Sequence, residues 1–268
     1  MRRIRTLLLF VVLAGCAAAP PGPSITTTAP GGGSEQIPVT IFKPEEAGPF
    51  PAVVMMHDCS GLSHLSSGAP ARWGHELVRR GYVVVMPDSF STRGYPYGVC
   101  TDASPGRASV GPLQRMRDAH AALAFVRTLP YVDGRRVGLM GGSHGGATTL
   151  VAMTRPGFAA GVALYPSCRS GAYRPAAPLL ILIGEKDDWT PAEPCRKLAE
   201  AARAAGHPVS IKIYPGAHHS FDSSNPVRYV DARVNLNSPT GRGATTGGDA
   251  AAWADSIDEV ARFFAERL

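Results

Sequence analysis

Gly141-Gly142-Ser143-His144-Gly145 places a serine between glycines in a G-x-S-x-G pattern. A hydroxyl held out on a tight turn becomes a nucleophile when a base takes its proton and a third group orients that base. Flanking glycines remove the Cβ atoms that would collide where a strand crosses into a helix. Two polar stretches downstream carry the complementary groups. Gly184-Glu185-Lys186-Asp187-Asp188-Trp189-Thr190-Pro191 offers a carboxylate, and Pro215-Gly216-Ala217-His218-His219-Ser220-Phe221 offers an imidazole. The chemistry these residues could perform together is acyl transfer through a covalent serine intermediate.

Such groups must be carried by regular elements. Apolar runs at Ile37–Phe42, Ala52–Met56, Tyr82–Met86, Arg136–Met140, Ala159–Leu164, Leu179–Ile183 and Val209–Tyr214 read as strands. Most are continuous rather than alternating, as expected for strands buried on both faces of a parallel sheet. Helical patterns lie between them at Ala71–Arg80, Pro112–Thr128, Gly146–Thr154, Pro191–Ala205 and Ala250–Arg267. In the longest loop-flanked one, Leu113, Met116, Ala119, His120, Leu123 and Val126 recur at helical spacing. Strands alternating with helices predict an α/β fold, a mostly parallel twisted sheet with helices on both faces. Its functional end is the carboxyl edge of the strands. Ser143, Asp187 and His219 each follow a strand and fall there. The loop from Asp222 to Gly248, rich in Gly, Ser, Thr and Asn, is expected to border the same edge.

The order Ser143, acid, His is the chain order of α/β-hydrolases. Three stretches carry a more specific likeness: Gly141-Gly142-Ser143-His144-Gly145-Gly146, Gly184-x-x-Asp187-x-x-x-Pro191 and Tyr214-x-x-Ala217-x-His219-x-Phe221. Through them residues 35–268 resemble the dienelactone hydrolase branch of that fold. The resemblance implies that Asp187 rather than Asp188 is the acid and His219 rather than His218 the base. It implies an oxyanion hole made by the backbone N–H of His144 and, from the loop His57-Asp58-Cys59-Ser60-Gly61, that of Cys59. His57 then reads as a loop-stabilising residue, and the His144 side chain as facing solvent. An arginine in the loop Asp88–Gly94 of the dienelactone enzymes pairs with a substrate carboxylate, which makes Arg93 a candidate substrate contact. Trp189 and Tyr95 are candidates for shaping the pocket. One departure matters: dienelactone hydrolases proper use cysteine where this chain has Ser143. A serine has no low-pKa thiolate to offer and needs His219 to take its proton, so the expected substrate widens to a small-molecule ester or lactone. The same triad also serves peptidases and acyltransferases, and a non-catalytic envelope lipoprotein could retain the fold.

The remaining chain bounds the setting. Met1-Arg2-Arg3-Ile4-Arg5, then Leu7–Leu13, then Ala14-Gly15-Cys16 has the basic, apolar and small-residue segments of an export signal. Leu13-Ala14-Gly15-Cys16 resembles a bacterial lipobox. Residues 1–15 are therefore expected to be a signal peptide and Cys16 a lipid-bearing membrane anchor, with the protein exported to the cell envelope. The Pro- and Gly-rich, uncharged residues 17–34 read as a flexible tether, and residues 35–268 as one domain. The net charge of +6 falls to +3 when Arg2, Arg3 and Arg5 leave, and the charges left are scattered in both signs. That does not favour nucleic acid as a partner. Cys59, Cys100, Cys168 and Cys195 are an even set in an exported chain. Of three possible connectivities, Cys59–Cys100 with Cys168–Cys195 is expected, because each pair would join loops leaving strand ends. No C-x-x-C pair or matching His spacing suggests zinc, and neither a metal nor an organic cofactor is implied.

Overall fold

The computed structural model describes residues 22–168 and 172–268. The expected signal peptide, the lipobox and Cys16 lie outside the described residues. The sheet is built from β1 (Ser24–Thr28), β2 (Ser34–Phe42), β3 (Phe50–Met56), β4 (Val83–Pro87), β5 (Val132–Gly142), β6 (Ala160–Leu164), β7 (Leu179–Gly184) and β8 (Val209–Tyr214), in the spatial order β1-β2-β4-β3-β5-β6-β7-β8. The pairs β1–β2 and β2–β4 are antiparallel, and every pair from β4 through β3 to β8 is parallel. All residues of β4, β6 and β7 are buried. That is the condition under which a strand sequence is continuously apolar rather than alternating.

Among the described residues five α-helices cover the sheet: α1 (Ala69–Val78), α2 (Pro112–Val126), α3 (His144–Ala152), α4 (Ala192–Ala204) and α5 (Ala250–Ala265). They divide between its two faces, and β5 shows how. A Cβ on Gly138 would meet Phe264 of α5 at 2.8 Å, whereas one on Gly141, three residues on and pointing the other way, would meet Gly145 of α3 at 2.5 Å. α1 joins α5 through an edge-on pair of indoles, Trp73 and Trp253, with centroids 4.6 Å apart. α5 starts where the Asp249 side chain accepts a hydrogen bond from Ala252 N at 2.9 Å, satisfying one of the free N–H groups of the first turn. At the sheet edge, Lys212 of β8 pairs with Asp255 and Glu259 of α5. A third pair of strands, β9 (Arg228–Val234) and β10 (Arg242–Thr246), forms a separate antiparallel hairpin.

The sheet begins earlier than the composition of residues 17–34 suggests, and the expectation of a flexible tether over this whole span is corrected. Ser24–Thr28 pairs in register with Ser34–Pro38, and Ala29–Gly33 forms the turn between them, closed by Ala29 N to Gly33 O at 3.1 Å. The Thr-rich segment alternates: Ile25 and Thr27 point inward, 3 % and 6 % exposed. Thr27 Oγ1 also donates to Asp118 of α2 at 3.0 Å. A short alternating strand was concealed by the surrounding Pro and Gly, which here make its turn. Ile25→Ala is expected to lower unfolding free energy by about 2 kcal/mol or more, as for a buried aliphatic truncated to Ala. Urea titration checks it; a change under about 0.5 kcal/mol, the ordinary effect of a surface substitution, would mean this segment does not contribute to the sheet.

Candidate active site

Ser143 sits between the last residue of β5 and the first of α3 with φ 52° and ψ −115°. A non-glycine residue there stores strain on the order of 1–3 kcal/mol, which the surroundings must over-determine. They do so through close packing. A Cβ on Gly145 would lie 2.0 Å from the Met56 carbonyl oxygen, and one on Gly146 2.7 Å from that of Leu164, so α3 approaches β3 and β6 at backbone distance. Ser143 N donates to Leu164 O at 2.9 Å, and its carbonyl accepts from Ala147 N at 2.8 Å.

The acid loop follows β7. Asp187 Oδ1 accepts from the backbone N–H groups of Trp189 at 3.0 Å and Thr190 at 2.7 Å. Its Oδ2 lies 2.8 Å from His219 Nδ1 and 2.9 Å from Thr190 Oγ1. His219, in the loop after β8, places Nε2 2.9 Å from Ser143 Oγ. With Nδ1–H donated to Asp187, Nε2 is left as the acceptor for the serine hydroxyl. The Asp187 and His219 side chains are both fully buried. The imidazole is held between the Tyr165 ring, 4.8 Å away, and the Trp189 ring, 4.7 Å away. The neighbouring candidates are engaged elsewhere: Asp188 accepts from Thr245 N and Oγ1 at 2.8 and 2.7 Å, and His218 Nδ1 bonds Lys186 O at 3.1 Å.

The loop after β3 brings Cys59 to the same edge. Its carbonyl accepts from Val99 N at 2.7 Å, and its sulfur is bonded to Cys100. A second disulfide joins Cys168 to Cys195. Among the described residues neither the Cys59 nor the His144 backbone N–H donates to another protein group; for His144 this is the ordinary condition of a helix's first residue. His57, fully buried, donates Nδ1–H to Asp58 O at 2.8 Å and accepts from Ser89 N at Nε2, 3.2 Å away. Burial pushes its pKa well below 6.5, and the nearby Arg115 guanidinium adds to the effect.

Arg115 of α2 was not foreseen. Its Nη2 donates to His57 O at 2.6 Å and its Nη1 lies 2.6 Å from His144 Nδ1, so one guanidinium ties the Cys59 loop to the serine turn. The expectation that the His144 side chain faces solvent is corrected: it is half-buried, packed on Arg115 and edge-on to Phe90. Burial pushes Arg115 down to about 10, against the pull of Asp118 and Asp58. Its position on an amphipathic helix resembles that of a solvated charge, so no local pattern marks it.

Two further expectations are corrected. Arg93 does not reach the pocket. Its side chain is 3 % exposed and joins Asp118 of α2 through both Nη atoms, at 2.6 and 2.8 Å, and Glu35 of β2 through Nε at 2.8 Å. Burial alone would lower its pKa, but the hydrogen bonds to Asp118 and Glu35 outweigh it and raise it. Tyr95 packs instead against the small apolar cluster of Cys59, Phe90, Val99, Cys100 and Val110. The cavity at Ser143, about 240 Å³, is lined by Trp189 as expected and by Tyr97 in place of Tyr95. Arg228, Arg233 and Asn225, from the segment between Asp222 and Gly248, also line it.

A mostly parallel sheet with a serine on a left-handed turn between strand and helix, followed in order by aspartate and histidine loops at the same edge, defines an α/β-hydrolase. The chain belongs to the dienelactone hydrolase family, whose model matches residues 37–268. A homologue from Methylorubrum extorquens named carboxymethylenebutenolidase is 30% identical over 202 residues, covering 69% of this chain and 68% of its own. Among solved structures, a Klebsiella pneumoniae dienelactone hydrolase superposes with a TM-score of 0.67 at 20% identity, over 91% of this chain and 100% of that one. A dienelactone hydrolase-like promiscuous phosphotriesterase from metagenomic libraries gives 0.66 at 20% identity, over 91% and 97%.

Two outcomes follow from this geometry. Gly145→Ala is expected to cost on the order of 3 kcal/mol or more, or to prevent folding, because backbone cannot yield to a Cβ as a flexible side chain can; wild-type unfolding in urea would refute the close approach. His57 is neutral when folded and titrates near 6.5 when unfolded. The unfolded chain therefore binds the extra proton, and this residue's contribution is complete above about pH 6.5 and lost as pH falls below it. The difference in Tm between wild type and His57→Gln should accordingly shrink between pH 7.5 and pH 5; a constant or growing difference would place the charge elsewhere.

Proposed function

We propose that the protein is a serine hydrolase of carboxylic esters or lactones. Ser143 Oγ attacks the carbonyl carbon as His219 Nε2 takes its proton, and Asp187 holds the imidazole in the tautomer that leaves Nε2 free. The N–H groups of Cys59 and His144 receive the oxyanion. The tetrahedral intermediate collapses as His219 returns the proton to the departing alkoxide, leaving an acyl group on Ser143. Water, deprotonated by the same nitrogen, then attacks the acyl-enzyme and releases the acid, and the proton goes back to Ser143. For a lactone, the alcohol and acid leave as one hydroxy acid.

The observation that carries this reading is the unbroken relay from Ser143 Oγ through His219, 2.9 Å and 2.8 Å, to Asp187. Two unengaged backbone donors at the same edge support it, because oxyanion stabilisation requires N–H groups not already spent. Family membership supports hydrolysis of the ester or lactone class. The cavity's small volume and its lining of Ser60, Ser66, Ser67, Thr101 and Asn225 favour a compact polar substrate over a long acyl chain. We place the protein, lipid-anchored through Cys16, in the cell envelope; two disulfides favour such an oxidising compartment.

A panel of short-chain p-nitrophenyl esters, lactones and aminoacyl amides tests the reaction class. Esters or lactones should be turned over and amides not, and a fluorophosphonate should label Ser143. Ser143→Ala is expected to lower kcat by about 10⁶-fold and Asp187→Asn by about 10⁴-fold. Unchanged ester hydrolysis in Ser143→Ala would remove this serine from the mechanism, and a protein that hydrolyses nothing and resists the fluorophosphonate would not be an enzyme of this class.

A further inference from the structure

Among the described residues, those other than glycine that hold a positive φ are Ser143 at 52°, Tyr165 at 35° and Ser220 at 59°. Backbone strained in this way persists only where its surroundings over-determine it, and it concentrates at functional sites. Ser143 is the proposed nucleophile and Ser220 follows the proposed base, yet Tyr165, just past the end of β6, has no part in the relay. It nevertheless touches every piece of it. Its ring lies 4.8 Å from the His219 imidazole, opposite Trp189. A Cβ on Gly142, the residue before Ser143, would meet its hydroxyl at 2.6 Å. Its carbonyl is 3.0 Å from Thr190 Oγ1, the hydroxyl that also contacts the Asp187 carboxylate and His219 Nδ1.

The phenol is held in place by Asp222. After His219 the chain turns back, with Ser223 N donating to Ser220 O at 2.9 Å, and the turn brings a fully buried carboxylate to the Tyr165 hydroxyl. Tyr165 OH is 2.7 Å from Asp222 Oδ1 and 2.9 Å from Oδ2, and Trp73 Nε1 of α1 donates to Oδ2 at 2.8 Å. Arg72 Nη1 of the same helix donates to the Asp222 main-chain carbonyl at 2.6 Å and not to the carboxylate. An ionised carboxylate only accepts, so it takes both donors. A neutral acid or an amide brings an O–H or N–H of its own, which then faces one of them. The network is therefore complete only while Asp222 carries its charge. Burial pushes its pKa up to about 6 against the hydrogen bonds from Tyr165 and Trp73, and Asp58 adds to the rise. Burial, and then the Asp222 charge, push the phenol well above 10, so Tyr165 keeps the proton it donates. Beyond the phenol ring stand the other titratable groups, His219 and Asp187.

We propose that Asp222, acting through Tyr165, is a positioning residue for His219: its carboxylate locks the phenol that walls the imidazole and so keeps Nε2 against Ser143. The inference rests on the hydrolase reading and adds to it a second carboxylate outside the relay. Asp187 selects the tautomer, and Asp222 fixes where the ring sits.

Full-length wild type, Asp222→Asn, Tyr165→Phe and the double variant are compared on p-nitrophenyl acetate. At about pH 8 each single variant should lower kcat by about 10- to 100-fold with little change in KM, the scale on which misplaced reacting groups are felt. The double variant should be no slower than the slower single one, because the two residues act as a unit. Losses that multiply would mean that Asp222 does not act through Tyr165. The wild-type advantage over Asp222→Asn should disappear as pH falls through about 6, where the wild-type side chain becomes the neutral acid that asparagine resembles. Trp73→Phe removes a donor to the carboxylate and no hydrogen bond of the relay; it should move that change to higher pH, because only the charged form loses by it. A side chain that merely fills the core would lower Tm and leave a kcat ratio constant with pH, and that result, or an unchanged kcat in Asp222→Asn, overturns the inference while the hydrolase reading stands. Where Asp222→Asn does not fold, Tyr165→Phe carries the comparison. Proton NMR of His219 Nδ1–H reads the same positioning without substrate: its resonance should broaden through faster exchange with water in both single variants. If the wild type cleaves no ester the hydrolase reading fails, and this resonance alone decides the role of Asp222, an unchanged signal in both variants overturning it.

Discussion

The backbone contact between the first turn of α3 and the end of β3 governs the geometry of the site. Gly145 comes so near the Met56 carbonyl that no side chain fits between them, and Met56 is the last residue before the His57–Cys59 loop. One contact therefore fixes where the serine turn stands relative to the proposed oxyanion donor at Cys59. It also accounts for the strained φ of Ser143: a helix starting that close to the sheet leaves the chain no ordinary path out of β5. The strain is sustained by what surrounds it, since the Ser143 amide and carbonyl are both engaged and the flanking glycines lie against backbone.

Around that contact the protein accumulates buried polar groups whose charge states are set by desolvation. His57 and His144 are both pushed well below the usual imidazole value, first by burial and then by Arg115. Each then has one ring nitrogen free to accept, from Ser89 N and from Arg115 respectively. Asp222 is pushed up to about 6 by burial, against hydrogen bonds from Tyr165 and Trp73. The Tyr165 phenol that bonds Asp222 belongs to the ring stacked edge-on to His219. The relay is thus embedded in a second layer of buried, hydrogen-bonded groups, and the ring packed edge-on to the imidazole is the phenol of Tyr165, which stands between it and the Asp222 carboxyl.

The central strands β3 to β7 were legible because burial on both faces makes their apolar runs continuous, β2 and β8 because apolar residues alternate with polar ones, and the described helices because α1, α2, α4 and α5 keep a helical period while α3 follows the serine turn. The relay residues were legible because each has a short local signature at a strand end. What escaped has a physical reason in each case. β1 alternates over only five residues inside a turn-rich context. β9 and β10 expose most of one face and interrupt their own register with a bulge, so no period survives to be read. Arg93 and Arg115 are alike in that nothing in the residues around either marks it out. Their roles depend on which carboxylates and carbonyls other elements bring to them: Asp118 and Glu35 close on Arg93, while Arg115 receives the His57 carbonyl. Partner identity across more than twenty residues of sequence is a property of the fold and not of either segment.

On the proposed reading, the acid loop accounts for a serine where dienelactone hydrolases proper use cysteine. A thiolate can be made in advance by a lowered pKa, but a serine hydroxyl must lose its proton during attack, which requires an imidazole already fixed in one tautomer. Asp187 can fix it because its other oxygen is fully committed to Trp189 N and Thr190 N, so the carboxylate cannot swing away from His219 Nδ1. The same loop carries Trp189 against the imidazole and beneath Arg233, and Asp188 bonds the hairpin. Consecutive residues thus orient the base, shape the pocket and anchor its cationic wall. The hairpin is hydrogen-bonded to the segment that holds His219, so on the proposed reading the pocket wall and the proton relay share one short segment of backbone.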